Sequence, residues 1–117
     1  MQALIIKLLD DGQRAQLIEP FEVEALGHWI RVPSGFITDF ASVPRLFWRL
    51  IPPWGKYARA AVVHDWLYCS HELSRKESDR VFEHLMKELG VGWLKRKTMY
   101  RAVRAAGWLP WRKGGKA

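Results

Sequence analysis

A chain of 117 residues with 49% hydrophobic side chains holds enough apolar material for one domain with a real core, which excludes global disorder. Its one cysteine, Cys69, excludes an internal disulfide, and no apolar run approaches the length of a membrane span. The net charge of +7 is uneven: residues 1–44 carry three basic and six acidic side chains, residues 45–117 carry sixteen and six, and residues 91–117 carry eight basic and no acidic ones.

In chain order, Gln2 to Leu8 is aliphatic and reads as a strand, with Asp11-Gly12 as a turn signal and Arg14 to Ile18 pairing back. Phe21-Glu22-Val23-Glu24-Ala25 alternates apolar and acidic, the pattern of a half-buried strand. Gly27 breaks it, His28 to Val32 resumes extended character, and Pro33-Ser34-Gly35 is a turn. Ser42 and Pro44 then suit the start of a short helix through Arg45 to Arg49, which Pro52-Pro53 ends.

From there the pattern is helical. A helix from about Tyr57 to Ser70 places Ala60, Ala61, His64, Leu67 and Tyr68 on one stripe. Ser74-Arg75-Lys76-Glu77 is a capping box opening a second helix, whose stripe Phe82, Leu85, Met86 and Leu89 is extended by Asp79. Gly90 closes it, and a last helix spans about Trp93 to Ala106, stopped by Gly107 and Pro110. The expected class is α+β: a small N-terminal antiparallel sheet followed by three to four helices. The expected organisation is a single domain over residues 1–110 with a flexible basic tail from 111 to 117.

The chemistry concentrates in His64-Asp65-Trp66-Leu67-Tyr68, flanked by Asp39 upstream and Asp79 downstream. A carboxylate on a buried stripe needs a partner, and His64 on the preceding helix is the natural one for Asp79, because a short connection makes the two helices antiparallel. Asp79 would fix the His64 tautomer and leave the other ring nitrogen to take a proton from water. Tyr68 would hydrogen-bond Asp79 or the histidine network. Asp65 points about 100° around the helix from His64, and with Asp39 it suits a hard cation such as calcium, which would stabilise an oxyanion. Neither Ser42 nor Ser70 sits in a nucleophile-elbow pattern. The bland reading stays beside this one: each of these residues also serves ordinary structural ends, His28 and His84 as surface or core histidines, Cys69 as packing. A zinc site of His64, His71 and an acid is a weaker option.

Two resemblances appear on these residues. Pro33-Ser34-Gly35-Phe36-Ile37-Thr38-Asp39-Phe40-Ala41-Ser42-Val43-Pro44-Arg45, with Val63-His64-Asp65-Trp66-Leu67-Tyr68, Asp79-Arg80-Val81-Phe82 and Met99-Tyr100-Arg101-Ala102-Val103, resembles a bacteriophage and prophage family, domain-of-unknown-function family thirteen fifty-three. That implies a phage-related protein and carries no settled activity. More distantly, the order Thr-Asp, His-Asp-x-x-Tyr, Asp-x-x-Phe over residues 38–82 is similar to prokaryotic secreted phospholipase A-two. This implies a phospholipase-A-two-like core helix pair, water activation by His64, support by Asp79, and calcium at Asp39 and Asp65. Those enzymes are exported and disulfide-braced; this chain shows neither a signal peptide nor a cysteine pair.

The leading expectation is therefore a phage-related, calcium-assisted ester hydrolase, with phospholipid as a candidate substrate and its basic, tryptophan-rich end against an anionic surface or membrane. The runner-up is a non-catalytic virion structural or assembly protein at tail or neck, contacting other virion proteins. Nucleic-acid binding through Lys95, Arg96, Lys97, Arg101 and Arg104 is a third option, less favoured because no recognised reading motif accompanies the basic helix. The expected location is the host cytoplasm on synthesis, with virion association under the runner-up.

Overall fold

The computed structural model describes residues 2–11, 14–40, 42–44 and 57–114. The arrangement is α+β, with strands first and four helices after them: β1 (Ile6–Leu8), β2 (Ala15–Leu17), β3 (Phe21–Ala25), β4 (His28–Val32), β5 (Ile37–Thr38), α1 (Ala58–Ser70), α2 (Arg75–Glu88), α3 (Trp93–Ala106) and α4 (Trp108–Lys113). The expected short helix over residues 45–49 lies outside the described residues.

The strands form two small antiparallel sheets, β1-β2-β5 and β3-β4. In β3, Phe21, Val23 and Ala25 are buried while Glu22 and Glu24 face outward, as the alternation demands. Its partner β4 pairs in register from Phe21↔Val32 to Ala25↔His28, so Leu26 and Gly27 alone make the turn. Both have positive φ, +52° and +81°, the geometry of a two-residue hairpin turn whose twist matches the strands. β1 is shorter than the aliphatic run around it because its partner ends at Leu17, and the ladder ends with one further bond, Ile18 N–H to the Ile5 carbonyl at 2.9 Å. β5 pairs with the other edge of β2 through a turn at Gly35 (φ +88°).

α1 is buried almost all round rather than on one stripe. Ala60, Ala61, Val62, Val63 and His64 are consecutive and all buried, because β4, β5, α2 and α4 all pack on this helix. α2 is amphipathic, with Val81, Phe82, Leu85 and Met86 inward. Ser74 caps it by accepting the Glu77 N–H at 3.1 Å. The Glu77 carboxylate spends its oxygens on His28 (3.0 Å) and Arg80 (2.9 Å), and the first of these ties the hairpin to α2. α3 buries Met99, Ala102 and Val103.

α4 runs to Lys113, with the Trp111 ring stacked on His71 at 3.7 Å and edge-on to Tyr68 at 5.2 Å. These two ring contacts tie Trp111 to the end of α1. No described helix is long and apolar enough to cross a membrane.

Candidate functional site

α1 and α2 bring His64 and Asp79 together between them. His64 Nε2 lies 2.7 Å from Asp79 Oδ1, and neither side chain has any exposed surface. The same oxygen accepts the Tyr68 hydroxyl at 2.6 Å, and Oδ2 accepts Arg104 Nη1 from α3 at 2.8 Å. Tyr68 reaches Asp79 because it follows His64 by four residues, one helical turn. The imidazole is wedged between rings, with Phe82 stacked at 4.4 Å and Tyr68 at 4.3 Å. Arg75 in turn donates to the Arg104 backbone carbonyl, which fixes the end of α3 against the start of α2.

The electrostatics follow from these contacts. Burial alone would raise the Asp79 carboxyl, but hydrogen bonding and charge from His64, then Tyr68 and Arg104, outweigh it and hold the group below its ordinary value. Burial, then the bond to Asp79, pushes the Tyr68 phenol far above its usual range, so it stays a donor. An ionised Asp79 requires Nε2 to carry hydrogen. In the neutral ring, Nδ1 is then an acceptor.

That acceptor meets Ser42, whose Oγ lies 3.0 Å from His64 Nδ1. The segment Thr38 to Ser42 is folded onto α1 by Asp65. Asp65 Oδ1 accepts the Ser42 N–H at 3.0 Å, Oδ2 accepts the Thr38 hydroxyl, and that hydroxyl accepts the Phe40 N–H at 3.0 Å. Phe40 is buried with φ +59°, a left-handed conformation that costs a non-glycine residue about 1–2 kcal/mol. The strained turn drives the Phe40 ring into the core and leaves Asp39 exposed.

Asp65 keeps part of its surface, yet the crowding of protein around it makes burial the largest influence, raising its pKa. Bonds from Ser42 and Thr38 oppose the rise, and the Asp39 charge adds to it. The Ser42 side chain thus touches both Asp65 and His64. A serine hydroxyl has one proton. When it goes to Nδ1, Asp65 still holds Ser42 through the backbone N–H, which donates to Oδ1. The result is one run of hydrogen bonds, from Asp65 through Ser42 and His64 to Asp79.

Ser42, Asp65, Asp39 and Tyr68 line a cavity of about 240 Å³, with Lys113 and Cys69 also on its wall. The cavity is where outside chemistry meets the run. For a hard cation, Asp39 and Asp65 supply the right donor type, and a cation between them would relieve their repulsion. Among the described residues no group of three or more His, Cys, Asp or Glu gathers as a metal site. Two carboxylates fall short of the six to eight oxygens calcium takes, so carbonyls and water would complete the set.

The residues singled out from sequence therefore fall into two joined groups. His64, Asp79 and Tyr68 form the buried cluster, and Asp65 and Asp39 lie at the cavity. Two participants were missed. Ser42 had been read as a helix cap and set aside as a nucleophile, yet it occupies the place on Nδ1 expected for water. Arg104 had been counted among the cations of a nucleic-acid-binding helix, yet it bonds Asp79. His71 turns to Trp111, with Nε2 2.9 Å from its carbonyl, so it does not join His64 in a zinc pair. His28 and His84 pair with Glu77 and Glu88, at 3.0 and 2.9 Å.

Two proteins of Sinorhizobium fredii (strain NBRC 101917 / NGR234) are similar to this chain. Uncharacterized protein y4jT is 37% identical over 78 residues, which is 65% of this chain and 23% of that protein. Uncharacterized protein y4iH is 42% identical over 72 residues, 60% of this chain and 30% of that protein. The chain thus spans under a third of the length of either relative. No solved structure matches it. A family model described as "Protein of unknown function (DUF1353)" matches residues 15–103, most of the chain, and the chain belongs to that family.

Proposed function

We propose that this domain is a phage-related ester hydrolase in which His64, held by Asp79, removes the proton of a nucleophile at the wall of the Ser42 cavity. One observation carries the reading: the hydrogen-bond run from Ser42 Oγ through both ring nitrogens of His64 to Asp79, in which Ser42, itself 1% exposed, is part of a cavity lining and Asp79 is fully buried. A base needs its nucleophile within hydrogen-bond reach and an orienting acid behind it, and both distances meet that need.

Ser42 is the group in reach. Its oxygen would add to the ester carbonyl carbon while its proton passes to Nδ1, and Asp79 would stabilise the resulting imidazolium. Collapse would expel the alcohol, which takes the proton back from His64. Water would then cleave the acyl-serine by the same proton path in reverse. Tyr68 and Arg104 hold Asp79 ionised throughout. Asp39 and Asp65 would hold a cation such as calcium, and a bound cation supplies positive charge for the carbonyl oxygen. Phospholipid is the substrate class suggested by the likeness to phospholipase A-two, and the excess of basic residues toward the C-terminus suits an anionic surface.

The test is hydrolysis of short-chain chromogenic esters and of anionic phospholipid vesicles by the wild type, Ser42→Ala and His64→Gln, each confirmed folded. Losses of about 10²-fold or more in kcat/KM for both variants are expected. Activity retained in Ser42→Ala but lost in His64→Gln would put a water in the place of the hydroxyl. Turnover undiminished in His64→Gln ends the reading. Calcium titration of the wild type and Asp39→Asn, read by heat and by proton release, tests the cation separately.

A second reading has its own observation. His64 is fully buried and both its nitrogens are bonded within the protein, which is what a structural cross-brace requires. In that case the domain is a virion structural or assembly protein, made in the host cytoplasm. It would copurify with particles and turn over no ester.

A further inference from the structure

A second concavity lies between α2 and α3, lined by none of the residues of the Ser42 cavity. Its volume is about 440 Å³, within the roughly 300–1,000 Å³ of small-molecule sites. Two helical stripes face each other across it. Arg80, Glu83, His84 and Lys87 fall at i, i+3, i+4 and i+7 on α2, and Trp93, Arg96, Lys97 and Tyr100 repeat that spacing on α3. The charge is one-sided: four cations meet one carboxylate, Glu83, which Lys97 already neutralises at 3.0 Å.

Two of the remaining cations are fixed by bonds within the protein. Arg80 is steadied by Glu77 at 2.9 Å, and Arg96 by the Val91 carbonyl at 3.1 Å. Each of these bonds uses one of the several N–H groups on its guanidinium and leaves others for a ligand. Trp93 stands 63% exposed at this cationic wall. Leu26, 41% exposed at the hairpin turn, completes the lining from a left-handed backbone position where asparagine or glycine would sit without strain.

We infer that this pocket binds a nucleotide unit, its phosphate held by Arg80, Lys87 and Arg96 and its base stacked on Trp93. A bare phosphate would not need the exposed ring. A bilayer surface is a poor fit to a concavity walled by charged side chains. Stacking on an aromatic ring and cationic contact to phosphate is the usual pairing at single-stranded nucleic-acid sites. This inference stands independently of the hydrolase reading.

The experiment is fluorescence anisotropy with a labelled twelve-residue oligothymidine, competed by thymidine monophosphate and by inorganic phosphate, with anionic vesicles assayed in parallel. Trp93→Ala is expected to weaken the oligonucleotide about tenfold, with Trp93→Phe restoring most of the loss. Lys87→Ala/Arg96→Ala should weaken it and flatten its salt dependence. Lys95→Ala/Arg101→Ala, exposed cations of the same helix outside the pocket, should change little. Competition by the mononucleotide as effective as by a strand identifies a free nucleotide as ligand, and weaker competition identifies a strand; both support the pocket. The inference is overturned if Trp93→Ala has no effect, if the control pair costs as much as the pocket pair, if inorganic phosphate competes as well as the nucleotide, or if vesicles bind and nucleotides do not.

Discussion

Replacing Asp79 with asparagine keeps the shape of the buried cluster and removes its negative charge. In the wild type that carboxylate accepts from His64, Tyr68 and Arg104 at 2.7, 2.6 and 2.8 Å. Hydrogen bonds to a charged group contribute about 1.5–3 kcal/mol each, and neutral ones about 0.5–1.5. The asparagine oxygen still accepts from His64 and Tyr68, but its NH2 is a donor and cannot accept from Arg104, so two weakened bonds and one lost bond give a loss of about 3 kcal/mol. Arg104 is 34% exposed and regains some hydration, which lowers the figure to about 2–3 kcal/mol. A domain of ordinary stability, about 5–15 kcal/mol, stays folded through that loss. The pH dependence supplies the second signature. Asp79 has a depressed pKa in the folded state, so its contribution is present above the unfolded value of 3.8 and is lost as pH falls through the folded one. Urea denaturation of both proteins at pH 7 and near pH 3 should show a gap that narrows in acid. A gap below about 1 kcal/mol at pH 7, or one indifferent to pH, would refute the claim that Asp79 is an ionised, triply bonded hub.

Three further substitutions probe the scaffold. Leu26→Asn relieves a left-handed leucine and should stabilise the fold by about 1 kcal/mol in urea, since asparagine tolerates that conformation. Gly107→Ala brings a methyl to 2.5 Å from the Tyr68 hydroxyl, so about 1–3 kcal/mol of overpacking is expected by thermal melting. Ser74→Ala removes the α2 cap and should cost about 1 kcal/mol in the same assay.

The parts of the fold visible in the sequence are those set by local pattern. β3 and β4 follow from alternation around a glycine turn, and α3 from its periodicity between Gly92 and Gly107. The His64–Asp79 pair was legible because two buried polar positions on successive helices had few other partners to choose from. What stayed hidden depends on non-local geometry. β5 is two residues long and exists only because β2 offers a second edge. Ser42 reaches His64 through a left-handed turn at a phenylalanine, a residue type that gives no sign of it. Arg104 reads as one more cation on a basic helix, since its partner lies on another helix. The ring contacts of Trp111 were hidden for the same reason: its partners, His71 and Tyr68, are some forty residues earlier.

The central claim is that the Asp79–His64 pair activates Ser42. Its most direct measurement is covalent: incubate the folded domain with a fluorophosphonate and map the adduct by peptide mass spectrometry. The account predicts a single adduct on Ser42 that disappears in His64→Gln. A folded wild-type domain that takes no label, or takes it elsewhere, would contradict it.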